Sequence, residues 1–256
     1  MILHGYGCSW TEGQGVDGEL IHINREELRK YRNEHSWVNL LSNKLGLSHI
    51  NNGLSGLSNQ KIFNKIISDI QKGNIKSGDF VTIMWTSSLR DNVSFLPNNE
   101  WVSWSVKELI ETPERFINSY DTDDTTYDSF IQDYKKFFIT DVFNLNYYNI
   151  VNQNYIIFIQ RMFDYYGIKY LMLDGFDMMV NNPSKDDDKT HLINKKNYWG
   201  FGKKTSRELI NESNLENRWE AIKPPEVAPH PNKNGYQIIS DELYKFIKQN
   251  NLCVPN

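Results

Sequence analysis

Two side chains near opposite ends of the chain have the types needed for nucleophilic catalysis. Ser9 stands in GYGCSWTEG, directly after a short apolar run, where a hydroxyl would project from a strand end into a crevice. His230 stands in APHPNKNGY, between Pro229 and Pro231, which fix the backbone on both sides of the ring. A serine activated by a histidine base performs acyl transfer, so this pair predicts a serine hydrolase if the fold brings the two side chains together.

The elements that must position these side chains follow from the apolar pattern. Apolar runs predict four strands, at residues 2–8, 50–52, 80–85 and 168–176. Helical periodicity predicts four helices, at residues 37–45, from a cap at Ser58 or Asn59 to Ile70, at 155–166 and at 236–248. Strands that alternate with helices predict a parallel sheet with helices on both faces. The loops after residues 8, 52, 85 and 174 should then converge on one crevice at the carboxyl ends of the strands.

Two polar stretches interrupt this pattern, and we interpret them as insertions into one domain spanning residues 1–256. Clusters of Asn, Asp, Thr and Trp break the stretch 86–149, with helical signals near 113–120 and 129–138. The stretch 177–222 contains an acidic run and a long polar segment. A chain of 256 residues suits a single large α/β domain.

Composition narrows the classes of partner and compartment. A net charge of −4 without a basic stripe argues against nucleic acid. Two cysteines at opposite ends of the chain indicate a reducing compartment. The polar amino terminus and the lack of a long apolar run predict a cytoplasmic protein with no membrane partner. The run 186–188 has three acids but no calcium-loop glycine, so we expect no metal and no cofactor. The oligomeric state is left open.

The sequence resembles the SGNH, or GDSL-like, hydrolase family in three blocks. GCSWTEG is similar to the family's first block, with Cys8 in place of Asp. INNGLSGLSN resembles the second block, with Gly56 at the glycine position. HPNKNGYQIISDEL is similar to the last block, which carries the base histidine before the terminal helix. The GCSxT variant resembles phage-encoded members, for which the compartment would be the host cytoplasm.

The resemblance implies a three-layer α/β/α flavodoxin-like sandwich with a mostly parallel sheet and a two-step acyl transfer. By position, Ser9 is the nucleophile and His230 the base, and the N–H groups of Ser9 and Gly56 form the oxyanion hole. The expected activity is that of an esterase that removes a small acyl group, such as acetyl, from a glycan or a polar metabolite. The polar, aromatic insertions favour such a substrate over a long lipid chain.

The family's third block departs most from this sequence, because the expected Asn of Gly-x-Asn-Asp is absent from WTSSLRDN. Thr86, Ser87 or Ser88 could donate to the oxyanion instead, or Asn92 could reach back. Arg90 could add positive charge. We expect Arg90, together with the rings of Trp10 and Trp85, to contact the substrate.

The acid that orients the histidine is also altered. The family places Asp three residues before the base, and that position is Val227 here. Glu226 is the nearest substitute and ranks first, while Asp174 or Asp177 at the end of the fourth strand is another option. A Ser-His dyad oriented by a carbonyl group or by water is the third.

Cys8 beside Ser9 raises the possibility of a thiol nucleophile, but alternation at a strand end predicts that Cys8 points into the core. The competing functions are a lipase-like or thioesterase-type hydrolase and, from another class, a non-catalytic binding or interaction module. The missing Asn and Asp favour the module.

Overall fold

The central sheet occupies the middle of the computed structural model, which describes residues 1–16, 24–95, 100–105, 137, 144–180, 185, 187–214, 218–219 and 230–253. Its strands, with a separate hairpin of two, are β1 (Ile2–Tyr6), β2 (Ser48–Asn51), β3 (Phe80–Trp85), β4 (Arg90–Phe95), β5 (Glu100–Ser105), β6 (Lys169–Asp174) and β7 (Tyr198–Trp199).

The five strands of the sheet are parallel and follow the order β2-β1-β3-β6-β7. All six residues of β3 are buried, as expected for a central parallel strand that is covered on both faces. The chain adds β2 on one side of β1 and then β3, β6 and β7 on the other side. This is the strand order of a doubly wound fold. The predicted fold class, an α/β/α sandwich around a mostly parallel sheet, is confirmed.

Helices cover both faces of the sheet. They are α1 (Ser9–Glu12), α2 (Arg25–His35), α3 (Trp37–Leu45), α4 (Asn59–Gln71), α5 (Leu145–Tyr166), α6 (Ser206–Glu212) and α7 (Lys233–Asn250). On one face α7 packs against α3 and α6, and on the other α4 packs against α5. Their inward side chains form the core with the strands, and each large apolar side chain buried there contributes about 1.5–3 kcal/mol relative to an exposed one.

The helices begin and end at residues that the sequence marks. The Ser58 side chain accepts a hydrogen bond from the Lys61 N–H and caps α4. Asn232 caps α7 by accepting from the N–H groups of Asn234 and Gly235. These caps fix the points at which the chain leaves the carboxyl edge of the sheet.

Several elements differ from the sequence predictions. The hairpin β4–β5 lies in the first polar stretch, and β7 and α6 lie in the second. Strand β7 joins the edge of the central sheet, so the second polar stretch contributes one of its strands. Helix α5 starts ten residues before the predicted 155, and α2 was not predicted. The helical signals near 113–120 and 129–138 fall outside the described residues, apart from residue 137. Within the described ranges, no helix has the length and apolar character of a membrane span.

Candidate active site

Ser9 and His230 meet at the carboxyl edge of the sheet. His230 Nε2 lies 3.1 Å from Ser9 Oγ, across 221 positions of the chain. With its Nδ1 protonated, a neutral imidazole at this distance accepts the hydroxyl proton, which is the geometry of a nucleophile and its general base. Ser9 is buried to 6% exposure, so little water competes for that hydrogen bond.

Ser9 is positioned by the turn between β1 and a single helical turn. It is the first residue of α1, so its N–H belongs to the group of N–H donors that have no partner within a helix. Cys8, the residue before it, is fully buried, which confirms the prediction that its thiol points into the core. The Ser9 hydroxyl lies 3.9 Å from that sulfur.

His230 is positioned by the segment that leads into α7. Pro231 forms an antiparallel bridge with Trp219, and the Asn232 N–H donates to the Arg218 carbonyl at 3.1 Å. Gly15 also packs against this segment, so closely that a Cβ there would sit 2.6 Å from the His230 Cβ. The backbone after α1 therefore packs directly against the histidine.

The loop after β2 is joined to the nucleophile turn by backbone contacts. The Asn51 side chain donates to the Thr11 carbonyl at 2.7 Å, and the Leu54 N–H donates to the Gly7 carbonyl at 3.2 Å. Gly53 packs so tightly that a Cβ there would lie 2.3 Å from the Glu12 nitrogen. This loop carries Gly56, which is exposed with φ of 78°.

Glu12 links the same loop to α1 and α2. Its Oε2 accepts hydrogen bonds from the Ser55 N–H at 2.7 Å and from the Ser55 hydroxyl at 2.6 Å. Its Oε1 lies 3.5 Å from an Arg32 nitrogen, in an ion pair whose side chains are 11% and 15% exposed. Glu12 thus fixes the residue just before Gly56. Glu12 and Ser55 lie in the first and second blocks that resemble the SGNH family, but nothing in their positions along the chain predicted that they pair.

Asn59, the first residue of α4, holds the loop after β3. Its Oδ1 accepts from the Thr86 N–H at 2.9 Å, and its Nδ2 donates to the Ser87 carbonyl at 3.1 Å. The side chain is 2% exposed. The sequence indicated Asn59 only as a possible cap, and no local pattern signalled this second role.

Asp177, in the loop after β6, holds the other side of that segment. Its Oδ1 accepts from the Ser88 N–H at 2.9 Å, and its Oδ2 lies 3.1 Å from the Ser87 hydroxyl and 3.4 Å from the Ser88 hydroxyl. The N–H groups of Thr86 and Ser88 thus bond to Asn59 and Asp177, so a hydrogen bond from either residue to an oxyanion would have to come from its hydroxyl group. The side chain of Asn92 is outside the described part of the chain.

Asp174, the second alternative for an acid that orients His230, is bound to another partner. The Tyr198 hydroxyl donates to its Oδ1 at 2.6 Å. Burial raises the pKa of Asp174 to about 7, and the nearby Asp177 charge acts in the same direction, while the bonds from Tyr198 and the Met179 N–H oppose it. Burial, followed by the Asp174 charge, raises the pKa of Tyr198. Glu226 and Val227 lie outside the described residues.

The three predicted substrate contacts divide into two groups. Trp10 and Trp85 are buried, at 1% and 0% exposure, so both rings pack in the core and offer no surface to a substrate. Arg90 is half-buried, with its guanidinium carbon 5.8 Å from the centre of the Phe176 ring.

Among the described residues, no group of three or more His, Cys, Asp or Glu side chains is arranged to hold a metal ion.

No protein-family profile matches the chain. No curated protein matches it either. The chain is similar to a solved structure of a protein assigned to the G-D-S-L family of lipolytic proteins from Desulfitobacterium hafniense DCB-2, with 14% identity, a TM-score of 0.48, and coverage of 96% of this chain and 98% of that one. It is also similar to an alpha/beta hydrolase enzyme from the metagenome of Lake Arreo, Spain, with 12% identity, a TM-score of 0.45, and coverage of 99% and 95%. At these identities the likeness concerns the fold alone.

Proposed function

We propose that the protein is a serine hydrolase of the SGNH type that cleaves a carboxylic ester through Ser9 and His230. The observation that carries the proposal is the 3.1 Å contact between Ser9 Oγ and His230 Nε2, two groups held there by separate elements. A turn residue and a surface histidine would have no reason to meet in a part-buried contact.

The reaction has two steps. Ser9 Oγ attacks the ester carbonyl carbon while His230 Nε2 takes the hydroxyl proton, and collapse of the tetrahedral intermediate breaks the bond to the alcohol, which leaves with that proton. Water then attacks the acyl-serine, again losing a proton to His230, which returns it to Ser9 Oγ as the acid departs. Each proton that leaves is returned, so the enzyme ends in its starting state.

The oxyanion hole is assigned to the N–H groups of Ser9 and Gly56. The first-turn position of Ser9 in α1 leaves its N–H outside the helical pattern. The Glu12–Ser55 contact supports the assignment of Gly56, because it fixes the preceding residue against α1. Removing one such donor from an acyl-transfer enzyme costs about 10²–10³ in kcat.

Glu226 is the acid that we assign to orient His230, since it stands nearest to the family position. The Oδ1 of Asp174 accepts from the Tyr198 hydroxyl, which favours Glu226 over Asp174. Glu226→Gln should lower turnover less than His230→Ala, because an orienting acid assists a base that remains present. An unchanged rate in Glu226→Gln would move the orienting role to another group.

The substrate that we propose is an ester of a small acyl group, such as acetyl, on a glycan or a polar metabolite, in a cytoplasmic setting. A lipase-like or thioesterase-type activity is the nearest variant. From another class, a non-catalytic binding module is favoured by one observation: the hydroxyls of Ser87 and Ser88, two of the groups expected to provide a third oxyanion donor, lie 3.1 and 3.4 Å from Asp177 Oδ2.

A labelled fluorophosphonate probe separates the hydrolase from the binding module. The probe reacts only with an activated serine, so we expect labelling of the folded protein at Ser9 and none in Ser9→Ala. Ser48→Ala, which removes an exposed hydroxyl at the start of β2, should still be labelled and serves as the matched control. Absence of labelling in folded wild-type protein would support the binding module and reject the hydrolase.

A further inference from the structure

Arg90 is a half-buried cation without an ion-pair partner in the described part of the chain. Its guanidinium lies over the face of Phe176, with 5.8 Å from the guanidinium carbon to the ring centre. The ring attracts the cation, but it neutralises none of its charge. A guanidinium removed from part of its water, and with no carboxylate partner among the described residues, is therefore available to an anion brought by a ligand.

The ring beneath Arg90 belongs to a cluster whose other two members are linked through the backbone to the neighbours of the candidate dyad. We define the aromatic cluster as Trp10, Phe176 and Trp219. Phe176 packs 4.4 Å from Trp10, centre to centre, and Trp10 packs 5.6 Å from Trp219. Trp10 follows Ser9 directly in α1, and Trp219 is bridged to Pro231, the residue after His230.

Only the outer members of the aromatic cluster can present surface. Trp10 is buried, whereas Phe176 and Trp219 are each partly exposed. Beside a serine that forms an acyl-enzyme, two such rings offer apolar area to the carbon chain of an ester. Arg90 then stands at the end of this apolar surface.

The segment that carries Arg90 is fixed. The Arg90 N–H donates to the Ser87 carbonyl at 3.1 Å, and the loop at Ser87 is held by Asn59 on one side and by Asp177 on the other. Asp177 follows Phe176 directly, so the same loop sets the ring and the hydrogen bonds to Ser87 and Ser88. The cation and the ring beneath it are thus positioned by the same pair of loops.

We propose that the aromatic cluster and Arg90 form a subsite for an ester that carries an anionic group, a carboxylate or a phosphate, a few carbons from the scissile carbonyl. The carbon chain would lie on Phe176 and Trp219, and the anion would bond to the Arg90 guanidinium. This inference rests on the proposed function, since it assigns a substrate class to the Ser9 site.

Two esters of equal length test the subsite. Monoethyl succinate and ethyl butyrate differ by a terminal carboxylate in place of a methyl group, and release of ethanol reports hydrolysis of either. We expect wild-type protein to prefer the succinate in kcat/KM, and Arg90→Gln to lower that preference by about tenfold or more, the loss expected for one charge-assisted hydrogen bond. Arg90→Lys should retain part of the preference, because the charge remains while the fork of donors is lost.

The control is Lys72→Gln, which removes one exposed positive charge at the far end of α4 and should leave the preference unchanged. A second readout needs no turnover: monoethyl succinate should slow fluorophosphonate labelling of Ser9 more strongly than ethyl butyrate does. Equal effects of the two esters in wild-type protein, or an Arg90→Gln variant that is labelled and keeps the full preference, would overturn the subsite alone. Folded wild-type protein without labelling at Ser9 would instead overturn the hydrolase assignment, and the subsite with it.

Discussion

Glu12 and Ser55 are joined by two hydrogen bonds to one carboxylate oxygen, at 2.7 Å from the Ser55 N–H and 2.6 Å from its hydroxyl. Glu12 is the last residue of α1, the helix that Ser9 begins, and Ser55 directly precedes Gly56. The pair connects the two backbone segments to which we assign the oxyanion donors.

Substitution of this pair should impair turnover more than substrate binding. We predict that Glu12→Ala and Ser55→Ala each lower kcat by about tenfold while KM changes little, because a misplaced oxyanion donor acts on the transition state. The double variant should be no slower than Glu12→Ala, since the contact between the Ser55 hydroxyl and Glu12 is already lost in Glu12→Ala. Steady-state kinetics of the four proteins measures the coupling.

The matched control is Glu27→Ala, which removes an exposed glutamate from α2. It should retain the wild-type kcat. Additive losses in the Glu12 and Ser55 double variant would show that the two side chains act separately, and the contact would then have no role in holding the loop.

Gly15→Ala should displace the histidine. The new Cβ would meet the His230 Cβ and the Pro231 carbonyl oxygen, each at 2.6 Å, and φ at this position is 102°. A displacement of about 1 Å in a catalytic group can cost about 10²-fold in rate, so we predict a loss of that order in ester hydrolysis.

Gly46→Ala separates strain from displacement. Gly46 ends α3 with φ of 69°, and a Cβ there meets nothing within 4 Å. Both variants should lose stability, by about 1–2 kcal/mol for the left-handed backbone alone. Only Gly15→Ala should lose turnover; comparable turnover in the two variants would mean that the close packing does not position His230.

Asp174 should make the fold less stable as the pH rises. Its folded pKa is about 7, above the ordinary value of 3.8, so the folded state holds a proton that the unfolded state has released. The free energy of unfolding therefore falls as the pH rises between these two values, by at most about 1.4 kcal/mol per pH unit from this group.

Asp174→Asn removes that proton while keeping an oxygen for the Tyr198 hydroxyl. Urea unfolding at several pH values should show a flatter dependence between about pH 4 and 7 in the variant than in wild-type protein. Glu34→Gln, at an exposed position of α2, controls for the loss of one carboxylate. Identical pH profiles for wild-type protein and Asp174→Asn would reject the raised pKa.

Much of the fold was predictable because each core element has a local signature. The run FVTIMW forms β3 as predicted, since a strand buried on both faces has apolar residues at every position. Gly167 ends α5 in the left-handed conformation, where the sequence predicted a stop. These signals lie within a few residues of the feature that they predict.

Elements without such signatures were missed. Helix α2 has no buried residue and few apolar ones, so its pattern did not mark it as a core helix, although Asn24 caps it and acidic residues follow in its first turn. Strand β7 is two residues long, too short for any periodicity. Both depend on tertiary contacts rather than on local pattern.

The candidate site likewise contains contacts that the sequence predicted and contacts that it did not. Motif resemblance brought Ser9 and His230 together, although 221 positions separate them. The contacts of Asp177 with Ser87 and Ser88 span about 90 positions and belong to no motif in the sequence. Such contacts depend on how two loops pack, which no single-sequence pattern encodes.

The most direct test of the Ser9–His230 pair is the rate of hydrolysis of a short-chain aryl acetate by wild-type protein, Ser9→Ala, His230→Ala and the control His191→Ala, at an exposed histidine. We predict that Ser9→Ala and His230→Ala each lower kcat by about 10³-fold or more with the fold intact, while His191→Ala keeps the wild-type rate. Full turnover in either Ser9→Ala or His230→Ala would contradict the assignment of these two residues as nucleophile and base.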